Sequence, residues 1–317
     1  MIDKLIGNTP LIKITYRYCG QIKSIYAKLE SFNYTGSIKD RVVYHIIKKS
    51  KELNLLKDNM PIVEATSGNT GISLAAIGAY FKHQVHIFIP DWVSTERIDI
   101  MRLYGANVYL VSKEEGGFKE AIKRSEEFAK KINGFLLRQF ENPLNIEAHY
   151  LTTAKEIIDS IPNIDTFVSG IGTGGTLMGV AKRLKEYNSN INIVCLEPDK
   201  MPLLSKGMIY GGHKIEGIGD DFIPKIVDRK LINRTILIND EDAINMSRLF
   251  AKKLGLGIGI SSGANFIASV LAGGNCTATI FVDDLKKYLS TDLSKDIDNN
   301  PEFISNQIEL IDIEKQH

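Results

Sequence analysis

The chain has 317 residues, with 39 Lys and Arg against 38 Asp and Glu, for a net charge of +1. At 44% hydrophobic and 24% charged residues it has a globular composition, which excludes a disordered, collagen-like or disulfide-stapled chain. Without a charge excess there is no reason to expect nucleic acid or an anionic membrane as the main partner, and at about 150 residues per domain the length predicts two domains. Cys19, Cys195 and Cys276 lie far apart and form no CxxC pair. This argues against a zinc site and fits a reducing cytoplasm. The opening MIDKLIGNTP has no apolar signal core.

In chain order, Thr35-Gly36-Ser37-Ile38-Lys39-Asp40 reads as a loop entering a helix, with Ser37 as N-cap and Asp40 three residues later. The helix continues through Val42, Val43, Ile46 and Ile47. At about 100° per residue Lys39 shares a face with Val43 and Ile46, while Arg41 and Lys48 point away. Burial disfavours an ammonium, and a neutral amine can form a Schiff base. The alternative is a first-turn lysine that snorkels to solvent. Residues 62–65 form the next strand and 70–81 a helix. Between them Thr66-Ser67-Gly68-Asn69-Thr70-Gly71 gathers hydroxyls, an amide and backbone N–H groups at a helix N-terminus, more than a cap requires and suited to a carboxylate or phosphate.

Strands are predicted at 85–89 and 107–111 and a helix at 117–131. A strand at 166–169 then runs into Gly170-Ile171-Gly172-Thr173-Gly174-Gly175-Thr176 and a helix at 175–187. Gly170, Gly172 and Gly175 match GxGxxG, and Glu197 ends the next strand, 193–196, so this loop alone also admits a nicotinamide dinucleotide. A helix follows at 240–254. Residues 254–282 carry no charge and are long enough to cross a bilayer. However, Gly259-Ile260-Ser261-Ser262-Gly263 and Gly273-Gly274-Asn275 break the run into turn, buried helix, turn and a strand at 279–282. Short apolar strands alternating with helices predict an α/β chain with parallel sheets covered on both faces. The polar tail from Ser290 has Ile304, Ile308 and Ile311 at helical spacing and predicts a peripheral helix or a partly disordered segment.

Ile6-Gly7-Asn8-Thr9-Pro10-Leu11, Ser37-Ile38-Lys39-Asp40-Arg41, Thr66–Gly71, Gly172–Thr176 and Gly259–Gly263 stand together in an order and spacing that resemble the cysteine synthase and cystathionine β-synthase family. The resemblance covers about residues 1–290. It implies a pyridoxal 5′-phosphate (PLP) enzyme of the tryptophan-synthase-β fold, with two three-layer α/β domains and mostly parallel sheets. Residues 38–145 would be a smaller domain with a mobile segment at about 85–130. Residues 1–37 and 146–290 would be the larger one, with the N-terminal strands crossing over to it, and 291–317 a tail. A cytoplasmic homodimer is the usual assembly.

By the same resemblance Lys39 would hold the cofactor covalently and then act as base at the substrate Cα. Gly172, Thr173, Gly174, Gly175 and Thr176 would cradle its phosphate, Asn69 would contact its 3-hydroxyl and Ser261 its ring nitrogen. Thr66, Ser67, Thr70 and Gln139 would bind the substrate carboxylate. The implied reaction is β-replacement or β-elimination on a serine-type amino acid through an aminoacrylate, with sulfide or a thiol as partner, as from O-acetylserine and sulfide to cysteine. Two stretches depart from the cysteine synthase pattern, Gly217-Ile218-Gly219-Asp220-Asp221-Phe222-Ile223-Pro224 and Asp284-Leu285-Lys286-Lys287-Tyr288-Leu289-Ser290-Thr291. An acidic residue before Phe222 is similar to cystathionine β-synthases and cysteine-consuming relatives. The alternative reading is therefore cysteine in, sulfide out, with Asp221 as catalytic acid–base group. Against it stands a turn-capping Asp221, with only Asp220 or neither reaching the site. An NAD-dependent oxidoreductase and an inactive scaffold are the more distant alternatives.

Overall fold

The computed structural model describes residues 2–295 and 300–316. Its elements run β1 (Leu11–Tyr18), β2 (Gln21–Leu29), α1 (Lys39–Glu52), β3 (Ile62–Ala65), α2 (Asn69–Tyr80), β4 (Val85–Pro90), α3 (Thr95–Leu103), β5 (Asn107–Val111), α4 (Gly117–Ile132) and β6 (Phe135–Leu136). They continue with α5 (Pro143–Leu151), α6 (Thr153–Ser160), β7 (Thr166–Gly170), α7 (Gly175–Tyr187), β8 (Asn192–Pro198), α8 (Leu203–Lys206), β9 (Arg234–Ile238), α9 (Asp240–Leu254), α10 (Ile260–Ala272), β10 (Thr277–Phe281), α11 (Ile304–Gln307) and β11 (Glu309–Lys315).

Two sheets result. A four-stranded sheet has the order β5-β4-β3-β6, all parallel. A seven-stranded sheet has the order β11-β1-β2-β10-β7-β8-β9, parallel from β2 onward and antiparallel at the β11-β1-β2 end. β3, β4 and β10 are buried along their whole length, as parallel strands under helices on both faces must be. The β1–β2 hairpin alternates apolar and polar residues, with Ile12, Ile14 and Tyr16 packed in the core. Its two-residue turn puts both Cys19 (φ 49) and Gly20 (φ 74) in the left-handed region, the conformation that matches the twist of a tight hairpin.

The uncharged stretch resolves into a turn, α10 and β10, and no helix of the described residues is long and apolar enough to cross a membrane. α10 is almost wholly buried. At Gly263 a Cβ would collide with the Ala243 carbonyl and the Ser247 hydroxyl, so glycine lets α10 lie directly on α9.

Three local expectations differ from the structure. The tail is mainly an edge strand rather than a helix. A bulge in the β1–β11 ladder pairs Tyr16 with Leu310 and Thr15 with Asp312, so Leu310 and Ile313, three residues apart, both pack on the core. The helical spacing of Ile304, Ile308 and Ile311 spans two elements: Ile304 opens α11, Ile308 follows it, buried, and Ile311 lies on the exposed side of β11. The Ser37–Asp40 capping box does not form either. Asp40 instead accepts hydrogen bonds from the Thr35 amide (2.7 Å) and hydroxyl (2.6 Å). Arg41 does not point to solvent: it is buried against Glu30 and Glu156, each at 2.6 Å.

Candidate active site

One cleft opens where the carboxyl ends of β3, β7 and β10 meet, the position at which open α/β sheets place ligands. Lys39 begins α1, and the loop that delivers it is stitched to the end of β10. The Ile38 amide donates to the Val282 carbonyl at 3.1 Å, and Ser37 forms a lone antiparallel bridge to Asp283. Burial lowers the Lys39 pKa, Asp283 and Asp220 oppose that shift, and Lys287 and Arg97 reinforce it. Among these charges Lys39 has a larger neutral fraction than a surface lysine.

Opposite Lys39, β7 ends in the loop that opens α7. Gly174 caps the helix with φ 89, a left-handed conformation that favours glycine. A Cβ at Gly172 would strike the Gly217 carbonyl oxygen, and one at Gly175 would strike the Asn145 side-chain amide. Thr173 and Thr176 add hydroxyls to the cleft wall. Asn145 Nδ2 donates to Thr173 Oγ1 at 3.0 Å, and Thr176 Oγ1 lies 3.2 Å from His149 Nε2. His149 is buried beside Arg41 and Lys39, which drives its pKa far down and keeps the ring neutral. A backbone cradle at a helix N-terminus with two supported hydroxyls fits a phosphate group, and the buried Lys39 amine fits an aldehyde. On both counts these residues fit pyridoxal phosphate.

The wall formed by the loop after β3 carries Thr66, Ser67, Asn69 and Thr70. Thr70 Oγ1 donates to Gln139 Oε1 at 2.6 Å, and Gln139 Nε2 donates to the Ala65 carbonyl at 2.9 Å. The two side chains stand together at the N-terminus of α2, where backbone dipoles favour an anion. Asn69 is held from both sides, donating to Asp283 (2.7 Å) and accepting from Lys287 Nζ (3.0 Å). Ser261, in the first turn of α10, is buried and lines the same cleft.

Lys39, Thr66, Ser67, Asn69, Thr70 and Gln139 therefore share one cleft with Gly172, Thr173, Gly174, Thr176 and Ser261. Asp221 does not line it. Its carboxylate ion-pairs with Lys119 at 2.7 Å on the outer side. Asp220 lines the cleft instead, and burial together with the neighbouring Asp221 charge pushes its pKa up to about 7. Three further groups, Arg97, Asp283 and Lys287, brace this region without a role assigned from the sequence. Arg97 is buried on α3, ion-paired with Glu216 and stacked over Tyr288 with its guanidinium carbon 4.7 Å from the ring centre. Asp283 accepts hydrogen bonds from Asn69 and Tyr288, and Lys287 bridges Asn69 to the Gly36 carbonyl. Arg97 carried a readable signal, since it shares the buried face of α3 with Met101 at i+4, the same anomaly that singled out Lys39.

Residues 2–278 match the family model described as pyridoxal-phosphate dependent enzyme. Cysteine synthase B of Campylobacter jejuni is 42% identical over 297 residues, covering 92% of this chain and 97% of that protein. A cysteine synthase of Staphylococcus aureus is 38% identical over 299 residues, covering 92% and 96%. Among solved structures, a hydrogen sulfide-producing enzyme from Fusobacterium nucleatum superposes with a TM-score of 0.95 at 45% identity, covering 99% of this chain and 98% of that one. A cysteine synthase from Entamoeba histolytica gives a TM-score of 0.87 at 36% identity, covering 97% and 94%.

Proposed function

We infer, because the chain belongs to the family of pyridoxal-phosphate-dependent enzymes, that it is a cysteine synthase-like enzyme. It replaces the β-substituent of a serine-type amino acid, as O-acetylserine and sulfide would give cysteine. The observation that carries this reading is the convergence on one cleft of a desolvated lysine, a glycine cradle and a paired Thr70–Gln139 anion site. Lys39 would hold the cofactor covalently, the Gly172–Thr176 loop its phosphate, and Asn69 and Ser261 its ring. When bound, the cofactor supplies an electron sink that acidifies the substrate Cα hydrogen and eases departure of the β-substituent.

The chain's own groups do the rest. The α2 N-terminus with Thr66, Ser67, Thr70 and Gln139 fixes the substrate carboxylate. Lys39 Nζ, kept partly neutral by burial, takes the Cα proton. Ser261 offers a neutral hydroxyl, which unlike a carboxylate does not keep a ring nitrogen protonated. His149, itself neutral, orients Thr176 at the cradle without adding charge.

A specific observation favours a second reading, in which cysteine is consumed and sulfide released. Asp220 lies inside the cleft with a pKa near 7. Such a carboxylate can take a proton from water or a neutral thiol as it adds to the substrate Cβ. The division into units 38–145 and 1–37 with 146–290 belongs to the same reading. It is supported by β3–β6 forming one sheet and the remaining strands the other, with β11 adding 309–315 to the larger unit. Closure of a segment at about 85–130 over substrate, a homodimer and a cytoplasmic setting complete it. The free thiols of Cys19, Cys195 and Cys276 support the last of these.

Borohydride reduction of the holoenzyme followed by peptide mapping tests the assignment. The pyridoxyl group is expected on Lys39, and its recovery on another lysine would overturn it. Parallel assays with O-acetylserine plus sulfide and with cysteine alone then separate the two directions.

A further inference from the structure

Arg97 and Glu216 form an ion pair, and both line the Lys39 cleft. They come from different halves of the protein. Arg97 lies in the first turn of α3, which connects β4 and β5 of the four-stranded sheet, whereas Glu216 lies in the loop between β8 and β9 of the seven-stranded sheet. Other polar contacts also join α3 and α4 to the larger sheet's half. Ser94 Oγ donates to the Lys287 carbonyl at 2.8 Å, Ser290 Oγ donates to Glu96 at 2.6 Å, and Lys119 pairs with Asp221 at 2.7 Å. None of those six residues lines the Lys39 cleft.

The buried Arg97 side chain touches three parts of the site. A Cβ at Gly68 would collide with Arg97 Cδ and Nε, so glycine lets the arginine lie directly on the backbone of the Thr66–Thr70 loop. On another side the guanidinium carbon stands 4.7 Å from the centre of the Tyr288 ring, which is fixed in turn by the hydrogen bond from its hydroxyl to Asp283. The third contact is Glu216, the residue before Gly217, whose carbonyl covers Gly172 of the glycine cradle. The 216–220 loop is tied down again at Gly219, whose amide donates to the Ile171 carbonyl at 2.9 Å, and it then delivers Asp220 to the cleft. One buried cation therefore rests on the loop suited to the substrate carboxylate and grips the loop that carries Asp220.

We propose that Arg97 is a positioning residue: its pair with Glu216 holds α3 against the 216–220 loop and so sets the cleft walls around the substrate carboxylate and Asp220. This rests on the reading that the segment at about 85–130 closes over an amino-acid substrate. The physical reason is the cost of an unpaired buried charge. Without Glu216 the guanidinium favours an arrangement in which α3 moves out and Arg97 reaches water. A substrate carboxylate bound beside Gly68 is attracted to the same cation, so substrate and Glu216 favour the same closed arrangement.

Hydrogen exchange of the holoenzyme, read by mass spectrometry over residues 92–103, tests this with L-alanine, which has the substrate carboxylate but no leaving group. In the wild type L-alanine is expected to slow exchange in this segment about fivefold or more. In Glu216→Gln and in Arg97→Met the slowing should fall below about twofold while the visible absorbance of the bound cofactor is retained. The rate of β-replacement should fall about tenfold in each, and by no more than about threefold further in the double variant, because both substitutions break one interaction. Glu216 is partly exposed, so Glu216→Gln carries the test alone if Arg97→Met does not fold. Full slowing in Glu216→Gln, losses that multiply in the double variant, or a wild type whose segment does not respond to L-alanine would overturn the proposal. Failure of the underlying cofactor reading shows separately, as a wild type without visible absorbance or with the pyridoxyl group on a lysine other than Lys39.

Discussion

Replacing Asp220 by Asn separates the two directions of the reaction, because the structure places Asp220 and not Asp221 in the Lys39 cleft. Asparagine keeps the shape and removes the base. A positioned general base contributes about 10²–10⁴-fold, or roughly 3–5 kcal/mol of barrier. Asp220→Asn is thus expected to release one equivalent of sulfide from cysteine and then to form serine or a thioether at a rate lower by that factor. Hydrosulfide arrives already deprotonated, so cysteine formation from O-acetylserine and sulfide should change by less than about tenfold. The pH dependence has a definite sign. A pKa of about 7 leaves about a tenth of Asp220 ionised at pH 6 and about nine-tenths at pH 8, so wild-type turnover of cysteine should rise about tenfold across that interval. Asp221→Asn is the internal control. It breaks an ion pair between partly exposed groups, worth about 0–1 kcal/mol, and removes a charge that raises the Asp220 pKa, so it should shift the pH profile to lower pH while leaving the plateau rate within about threefold. Stopped-flow absorbance with cysteine, read beside a sulfide electrode, measures both phases. A stalled Asp221→Asn with a normal Asp220→Asn would refute the assignment, as would a flat pH profile.

Lys39→Ala should abolish exchange of the substrate Cα hydrogen with deuterated solvent, measured by proton NMR, because the covalent anchor and the base are lost together. Gly172→Ala places a methyl group against the Gly217 carbonyl, a backbone atom that cannot swing away, and should cost most of the cofactor affinity, read as loss of visible absorbance on dialysis. Ser261→Asp should keep the cofactor but change its spectrum and the product ratio; an unaltered spectrum would reduce Ser261 to a helix-terminus residue. Arg41→Ala would strand the Glu30 carboxylate in the core and should destabilise the fold by about 3–5 kcal/mol in urea titrations. In the wild type, Arg41 and Lys28 hold Glu156 at a pKa of about 2 against an ordinary 4.5. That difference is worth about 3 kcal/mol, present above about pH 4.5 and lost progressively as pH falls toward 2.

The α/β pattern was legible where strands are buried on both faces, because β3, β4 and β10 then read as unbroken apolar runs and each is followed or preceded by a helical period. β1 and β2 do not read as apolar runs because an antiparallel pair near a sheet edge alternates, Ile12, Ile14 and Tyr16 inward with Lys13, Thr15 and Arg17 between them. β11 is hard to read for a different reason: Ile304, Ile308 and Ile311, spaced as on one helix, belong to two elements, with Ile304 on α11 and Ile311 on the exposed side of β11. Arg41 was misplaced because helical geometry alone turns it away from Val43. Its burial depends on Glu30 and Glu156, and Glu156 stands 115 residues later in the chain. No window of the sequence contains that partner.

The choice between Asp220 and Asp221 shows where motif reasoning stops. Two consecutive acids in an irregular loop have no period that assigns one to the interior. Their directions are set by anchors at either end. Gly219, at φ 69, lets the chain pass against His213 and Pro198, where a Cβ would collide with both. Phe222 is pinned three residues on between Phe118 and Phe140, side chains from α4 and the loop after β6. With both ends held, the first acid turns toward Lys39 and the second toward Lys119. The same asymmetry sets the chemistry. The inner carboxylate is desolvated and feels its neighbour's negative charge, both of which raise its pKa toward neutrality, while Lys39 pulls the other way and keeps it from rising further. A lone acid at either position would lose one of those influences. On the cysteine-consuming reading proposed above, the pair would give a base tuned to the pH at which water and thiols must be deprotonated, and the outer acid would act on that tuning through space rather than by entering the cleft.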